Sequence, residues 1–178
     1  MTLETITTER LLLRGWTSDD AATVLEIYGR DDVSRFLGSP PKPCLDLDEA
    51  RARIDRWNGL ATDVLGLWAV ETPRVEGVAP QPCGSVLLVP LGRSDEQPSS
   101  TIEIGWHFHP SAWGKGIATE GGRAMINRAR AAGIREVHAV VFEENAASLA
   151  VCDRLGMTRL GPTDEWYGVE LVDHVLLL

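Results

Sequence analysis

Trp113-Gly114-Lys115-Gly116-Ile117-Ala118-Thr119-Glu120 stands between a strand-like run, 101–108, and a helix-like run that reaches Ala132. Two glycines flank a lysine at a strand-to-helix turn. Such a turn lets successive backbone N–H groups point into one small volume, and the helix N-terminus adds its partial positive charge there. The stretch therefore reads as a phosphate-binding turn in a βαβ unit, which sets the expectation of a mixed α/β sheet. Two common phosphate motifs fit it badly. A Walker loop needs glycine five residues before Gly114, where His109 stands, and Ser or Thr after the lysine, where Gly116 stands. A dinucleotide fingerprint starting at Gly114 finds Gly116 in register but Thr119 at its third position. The acid about 20 residues on, Glu136, opens a strand rather than ending one.

The turn resembles the acyl-CoA loop of the GNAT N-acetyltransferase superfamily, Gln/Arg-x-x-Gly-x-Gly/Ala. Gly116 and Ala118 match, and Trp113 replaces the leading Gln/Arg. The tryptophan form with Gly-Lys-Gly and Ala-Thr-Glu is similar to the branch that holds the Rim-type ribosomal-protein N-acetyltransferases. Further pieces resemble that branch in the same order: Thr8 to Arg14 its opening strand, Glu103-Ile104-Gly105-Trp106 its central strand, Asn145-x-x-Ser148 with Leu155-Gly156-Met157 its late helix, and Asp173-His174-Val175 its closing strand. The resemblance implies an α/β (α+β) single-domain fold over residues 1–178, with helices flanking a mixed central sheet around a central βαβ acyl-CoA unit. It also implies acetyl-CoA as cosubstrate and direct transfer to a primary amine, on a protein N-terminus or a small molecule.

Composition is compatible with this. The 178 residues suit one domain, and a hydrophobic content of 44% is ordinary for a packed core. The longest apolar run is far short of a membrane span and the N-terminus has no signal-peptide pattern, so a cytoplasmic protein without a membrane partner is expected. Three scattered cysteines, Cys44, Cys83 and Cys152, argue against a disulfide framework or a zinc cluster. A net charge of −9 disfavours nucleic acid; it suits a basic acceptor or simply solubility. Oligomeric state is not legible, and a homodimer is left open.

Periodicity gives the order βααβββαβαβ. Arg10 to Trp16 reads as a strand, and Thr17 with Asp20 opens a helix whose apolar stripe is Ala21, Val24, Leu25 and Tyr28. Asp46 with Glu49 opens a second helix that ends near Gly59. Strands 65–71, 84–90 and 101–108 follow. Loops 73–82 and 92–100 separate them, and with 38–46 they are the segments expected to border an acceptor. After the helix behind the turn, the apolar run 136–142 reads as a buried strand parallel to 101–108. Asn145 caps a helix through Leu155, and 169–178 is the last strand.

Amine acetylation needs a neutral amine, a base to take its proton and N–H donors to polarise the thioester. Strand alternation puts Ile102, Ile104 and Trp106 on one face and Glu103 with Gly105 on the other. Glu103 is the base candidate; a salt-bridged or solvent-facing glutamate is the plainer reading. The resemblance implies a general-acid tyrosine on the late helix, but Cys152 holds that position, either as a small core residue or as a thiol near the CoA sulfur. Ser148 is then the remaining catalytic candidate, with local capping as its alternative. Tyr28 and Tyr167, the two tyrosines, read as a buried helical residue and a turn residue. The resemblance gives Asn145 a pantetheine contact besides its cap, and gives Trp106, His107 and Phe108 the backbone that pairs with pantetheine. Trp113, Gly114, Lys115, Gly116, Ile117, Ala118 and Thr119 complete the expected cofactor site. His107 and His109 share a strand face, but no third ligand is near in sequence, so no metal is expected. Trp57, Trp68 and Trp166 are either core or acceptor-pocket residues.

Overall fold

The computed structural model describes residues 3–72 and 81–178. The loop 73–82 therefore lies mostly outside the described residues. One eight-stranded sheet runs in the order β1-β2-β3-β4-β5-β6-β8-β7. The strands are β1 (Ile6–Thr7), β2 (Leu12–Gly15), β3 (Gly66–Glu71), β4 (Pro82–Pro90), β5 (Ile102–Phe108), β6 (Glu136–Val141), β7 (Thr158–Thr163) and β8 (Leu171–Leu177). Neighbours are antiparallel except β5 and β6, which the crossover helix α4 (Ile117–Ala131) makes parallel. That is the expected βαβ unit.

Alternation along the central strands feeds two cores. Trp68 and Val70 of β3, Val86 and Leu88 of β4 and Ile104 of β5 point to the face covered by α4 and α5 (Ala146–Leu155). Leu67, Ala69 and Leu87 point to the other face, covered by α1 (Ala21–Tyr28) and α3 (Leu47–Gly59). Buried on both faces, β3 needs apolar residues at nearly every position, and Gly66 to Val70 supply small or apolar ones. A third small cluster, Leu91, Trp166 and Leu171, lies where the β7–β8 turn meets the end of β4.

The helix starts follow their caps. Asp46 accepts from the Glu49 N–H at 2.8 Å and Glu49 answers at the Leu45 N–H at 2.9 Å. Asp20 accepts from the Thr17 N–H at 2.8 Å. The expected first helix begins as a 3-10 turn over Ser18–Asp20 before α1 proper. Asp20 also closes a polar cluster at the sheet edge. Arg14 reaches both its carboxylate oxygens at 2.8 Å and Glu71 at 2.7 Å.

Three elements escape periodicity. β1 has two residues and α2 (Asp31–Ser34) has four, too short for any repeat to show. β7 reads Thr-Arg-Leu-Gly-Pro-Thr and is largely exposed at the sheet edge, where a proline costs no ladder bond. Of the tryptophans considered for an acceptor pocket, Trp68 is wholly buried beneath α4. Trp57 packs on Trp16 and Tyr28, with ring centroids 5.6 and 5.1 Å away. Trp166 is buried under the β7–β8 turn. No helix among the described residues is long and apolar enough to cross a membrane.

Candidate active site

β5 and β6 pair in register at Glu103 and His138. Beyond that point they part, and a cleft of about 910 Å³ opens between them. Its walls come from β5, the end of β6, the start of α5 and the segment 32–38, and the 112–119 turn closes one end. A larger groove, about 1240 Å³, runs along the outer side of α4 and touches the cleft residues Gly116, Thr119 and Arg154. Of its arginines, Arg10 and Arg128 are paired with Glu120 and Glu4, and Glu103 lines the cleft and not this groove.

The turn has the conformation the glycines suggest. Gly114 and Gly116 adopt φ of 70° and 77°, the left-handed region that a Cβ disfavours. The first helical bond behind them runs from the Glu120 N–H to the Gly116 carbonyl at 3.0 Å. No N–H from Gly114 to Thr119 finds an acceptor among the described residues. Six donors at a helix N-terminus are thus left without an intramolecular partner, a fit for the diphosphate of a CoA-type cosubstrate. Glu120 anchors the turn. Its carboxylate accepts from the Arg10 N–H at 2.9 Å, Arg10 Nε at 2.7 Å and Thr8 Oγ1 at 2.6 Å. Arg10 then donates to the Lys115 carbonyl at 3.0 Å.

The side chains of Ile117 and Thr119 are buried, while their backbone N–H groups belong to the turn. The Lys115 side chain is exposed on the loop. Phe108 is a core residue, and its carbonyl already accepts from Trp113 Nε1 at 2.8 Å, so it is not a free strand-edge acceptor for pantetheine. The indole of Trp113, in place of the motif's Gln/Arg, instead ties the turn to the end of β5.

At the other end of the cleft, Glu103 is half-buried and lines the wall. Burial pushes its carboxyl up to about 7, against the opposing pull of a hydrogen bond from the Tyr167 hydroxyl to Oε2. Among the described residues no donor reaches Oε1. His107 lies two strand pleats along on the same face, and burial pushes its imidazole down to about 4. Its Nδ1 lies 3.4 Å from the Tyr28 hydroxyl, which shares a 2.7 Å hydrogen bond with Ser85 Oγ. His109 turns elsewhere, to Ser111 Oγ at 2.8 Å, so the two histidines do not converge.

On the opposite wall Asn145 Oδ1 accepts from the Ser148 N–H at 3.1 Å, the expected cap. Ser148 Oγ accepts from Trp106 Nε1 at 3.3 Å, which places both residues on the cleft wall. Cys152 is wholly buried in the α4–α5 core and its thiol is pushed up to about 12 by burial. It is a packing residue and does not line the cleft. The residue that the sequence reading missed is Tyr167. Its only local signals are a Tyr-Gly pair in a turn and the scarcity of tyrosine, and neither points to Glu103. The short segment around α2 was missed as well; Phe36 and Leu37 line the cleft, with the Phe36 ring 6.1 Å from that of Phe142.

Comparison with known proteins bears on the family and the fold. A curated relative, the uncharacterized N-acetyltransferase p20 of Bacillus licheniformis, is 26% identical over 164 residues, covering 89% of this chain and 85% of the relative. The crystal structure of a GNAT-family acetyltransferase from Bacillus anthracis superposes with a TM-score of 0.76 at 22% identity, covering 98% of both chains. The ribosomal-protein-S5-alanine acetyltransferase of Vibrio fischeri gives 0.73 at 16% identity over 98% of this chain and 96% of that one, a likeness of fold. The acetyltransferase (GNAT) domain family matches residues 10–158, most of the chain, including the turn, Glu103 and the α5 cap. The chain belongs to the GNAT acetyltransferase family and is an acyltransferase.

Proposed function

We propose that this protein moves an acetyl group from acetyl-CoA to a primary amine by direct transfer, with Glu103 as base. The observation that carries the reading is the placement of a half-buried carboxyl, raised to about 7, where two parallel strands part, with an unpaired N–H cradle at the far end of the same cleft. The cradle takes the diphosphate. Trp106 and His107, on the edge of β5 left free by the splay, take the pantetheine amides, and Asn145 adds a contact from α5. The thioester then lies near Glu103. The amine nitrogen attacks the acetyl carbonyl carbon, the C–N bond forms and the C–S bond breaks. The amine proton passes to Glu103, directly or through one water, and the departing thiolate takes a proton from solvent. Thiols are fair leaving groups, with ordinary pKa values near ~8.5, so a buried Cys152 in the usual acid position does not disable the step. Ser148 holds Trp106 and the α5 start rather than donating a proton.

The acceptor side is lined by Asp32, Glu103 and Glu144 together with Phe36, Leu37 and Phe142. That combination suits an amine carried on an apolar body, such as a peptide N-terminus with an apolar first side chain or a small hydrophobic amine. The test is a thiol-release assay across peptide, polyamine, amino-acid and aromatic amines, with mass spectrometry for the gain of one acetyl group. CoA release without acetylated product, or acetyl-CoA binding without turnover on any amine class, would refute transfer and favour an acyl-CoA-binding module.

A further inference from the structure

Tyr167 comes from a turn far from β5 in sequence, yet several independent contacts fix its hydroxyl on Glu103. Its own N–H donates to the Gly92 carbonyl at 2.8 Å, and the Gly168 N–H donates to Ser94 Oγ at 2.9 Å. Ser94 also bonds this turn through its N–H to the Glu165 carbonyl at 2.8 Å and through Oγ to the Asp164 carbonyl at 2.5 Å. Beneath it Trp166 is buried, and its Nε1 lies 3.4 Å from Asp173 Oδ2. The tyrosine ring lies flush against Gly92: a Cβ there would sit 2.6 Å from Cε1. Tyr167 itself holds φ of 57°, an uncommon conformation for a large side chain. A strained aromatic residue, docked on a loop whose glycine leaves room for it, with its one polar atom on the only carboxylate in the β5 strand, is poorly explained as surface packing. The ring remains 45% exposed, so its burial contributes little.

We propose that Tyr167 is a positioning residue for the transfer: its hydroxyl holds Oε2 of Glu103, so that Oε1 is aimed at the acceptor amine and the charged form of the carboxyl is favoured. This rests on Glu103 being the base. A donated hydrogen bond favours the charged form of a carboxyl, opposing the burial that favours the neutral one. Most other charged groups around Glu103 are engaged elsewhere, and Glu144, which lines the same cleft from the start of α5, makes no hydrogen bond to it. His138, its register partner on β6, is turned to Asp173 at 2.9 Å and to Glu136 at 3.7 Å. His107 on β5 faces Tyr28. From the segment above the cleft, Asp32 is paired with Arg30 at 3.0 Å and Arg35 lies over the Phe36 ring at 4.6 Å. From the loop after β4, Arg93 is paired with Asp95 at 2.9 Å, and β4 itself faces Glu103 with Val89. Among the described residues Tyr167 is thus the one side chain that donates to Glu103.

The experiment uses the whole protein with carbon-13-labelled glutamate carboxyls, with the Glu103 signal assigned by its loss in Glu103→Gln. Its titration is read in the acceptor-free enzyme, and the pH profile of kcat/KM is read beside it with the best amine found. Tyr167→Phe keeps the ring and removes the hydroxyl. The Glu103 titration and the acid limb of kcat/KM are expected to move up together by about one pH unit, the size of a lost hydrogen bond to a charged group. Gly92→Ala keeps the hydroxyl but displaces the ring, and the same upward shift is expected from it. An unchanged Glu103 titration in both folded variants would overturn the positioning role of Tyr167. A titration that shifts while the acid limb stays still would overturn Glu103 as base, and with it the part of Tyr167 in the reaction.

Discussion

Glu103 and His138 sit side by side at the register point that joins the two parallel strands, and the cleft begins immediately beyond them. Here β6 stops supplying backbone partners to β5, which stays paired with β4 on its other edge, and here the carboxyl of β5 is half-buried. The splay frees strand edge next to the group that would receive a proton.

Glu103→Gln should lower turnover at neutral pH by about 10²–10⁴-fold, the usual contribution of a general base, and leave acetyl-CoA affinity within a few-fold. The loss should shrink at high pH, where the amine deprotonates unaided. Wild-type kcat/KM should fall as pH drops below about 7, where the carboxyl protonates. The folded pKa is raised from the ordinary 4.5, so ionising Glu103 costs stability increasingly as pH rises from 4.5 to about 7. The glutamine variant should therefore melt at or above wild type at pH 8. Near-wild-type turnover at pH 7 would make Glu103 structural.

Gly116→Val should weaken acetyl-CoA binding at least tenfold while the protein stays folded. Valine at φ of 77° is strained by about 1–2 kcal/mol, a cost that an exposed turn tolerates, but the N–H groups leave their common direction. The added Cβ would also meet Arg10 Nη2 at 3.3 Å, and Arg10 steadies the loop. Calorimetry with a circular-dichroism check decides; equal affinity in a folded variant removes the turn from the binding site.

Asp20→Ala should destabilise the fold by about 2 kcal/mol, the order of a lost charge-assisted hydrogen bond, because Arg14 keeps Glu71 but loses a bidentate partner. Burial pushes the Asp20 carboxyl up, but hydrogen bonds from Arg14 and Thr17 outweigh it and hold the group below its ordinary value. Its contribution is therefore complete above the unfolded carboxylate pKa, near ~3.9, and is lost as pH falls through the lower folded value. Urea melts at pH 7 and pH 3 should show the gap between variant and wild type narrowing at the acid end.

Ser148→Ala should leave chemistry nearly intact. Its Oγ accepts one hydrogen bond from Trp106, and its N–H, which carries the Asn145 cap, is retained. Cys152→Tyr should raise no activity and should cost about 1–3 kcal/mol by overpacking a site with no exposed surface. Turnover at saturating acetyl-CoA and thermal melts of both variants check this. A loss of several orders of magnitude in folded Ser148→Ala would make its hydroxyl an essential acid.

The sequence by itself determined the parts that local chemistry dictates. The glycine-lysine-glycine turn needs two left-handed residues, and only glycine adopts them freely, so the cradle is written at Gly114 and Gly116. Asp46 with Glu49 and Asn145 with Ser148 mark helix starts because capping acts over three residues. Glu103 stands out because an acid between isoleucines breaks the strand's apolar pattern. β7 stayed hidden because an exposed edge strand with Gly161 and Pro162 needs no apolar alternation. Only the tertiary structure decided that Cys152 turns into the core and that Trp68 lies under α4, since a helix or strand side chain acquires its neighbours when the layers pack. It alone brought Tyr167 to Glu103, across 64 residues of chain. That contact depends on the docking of two loops, through Gly92, Ser94 and the buried Trp166. No local periodicity encodes such an encounter, because its energy comes from groups that meet only once the sheet has formed.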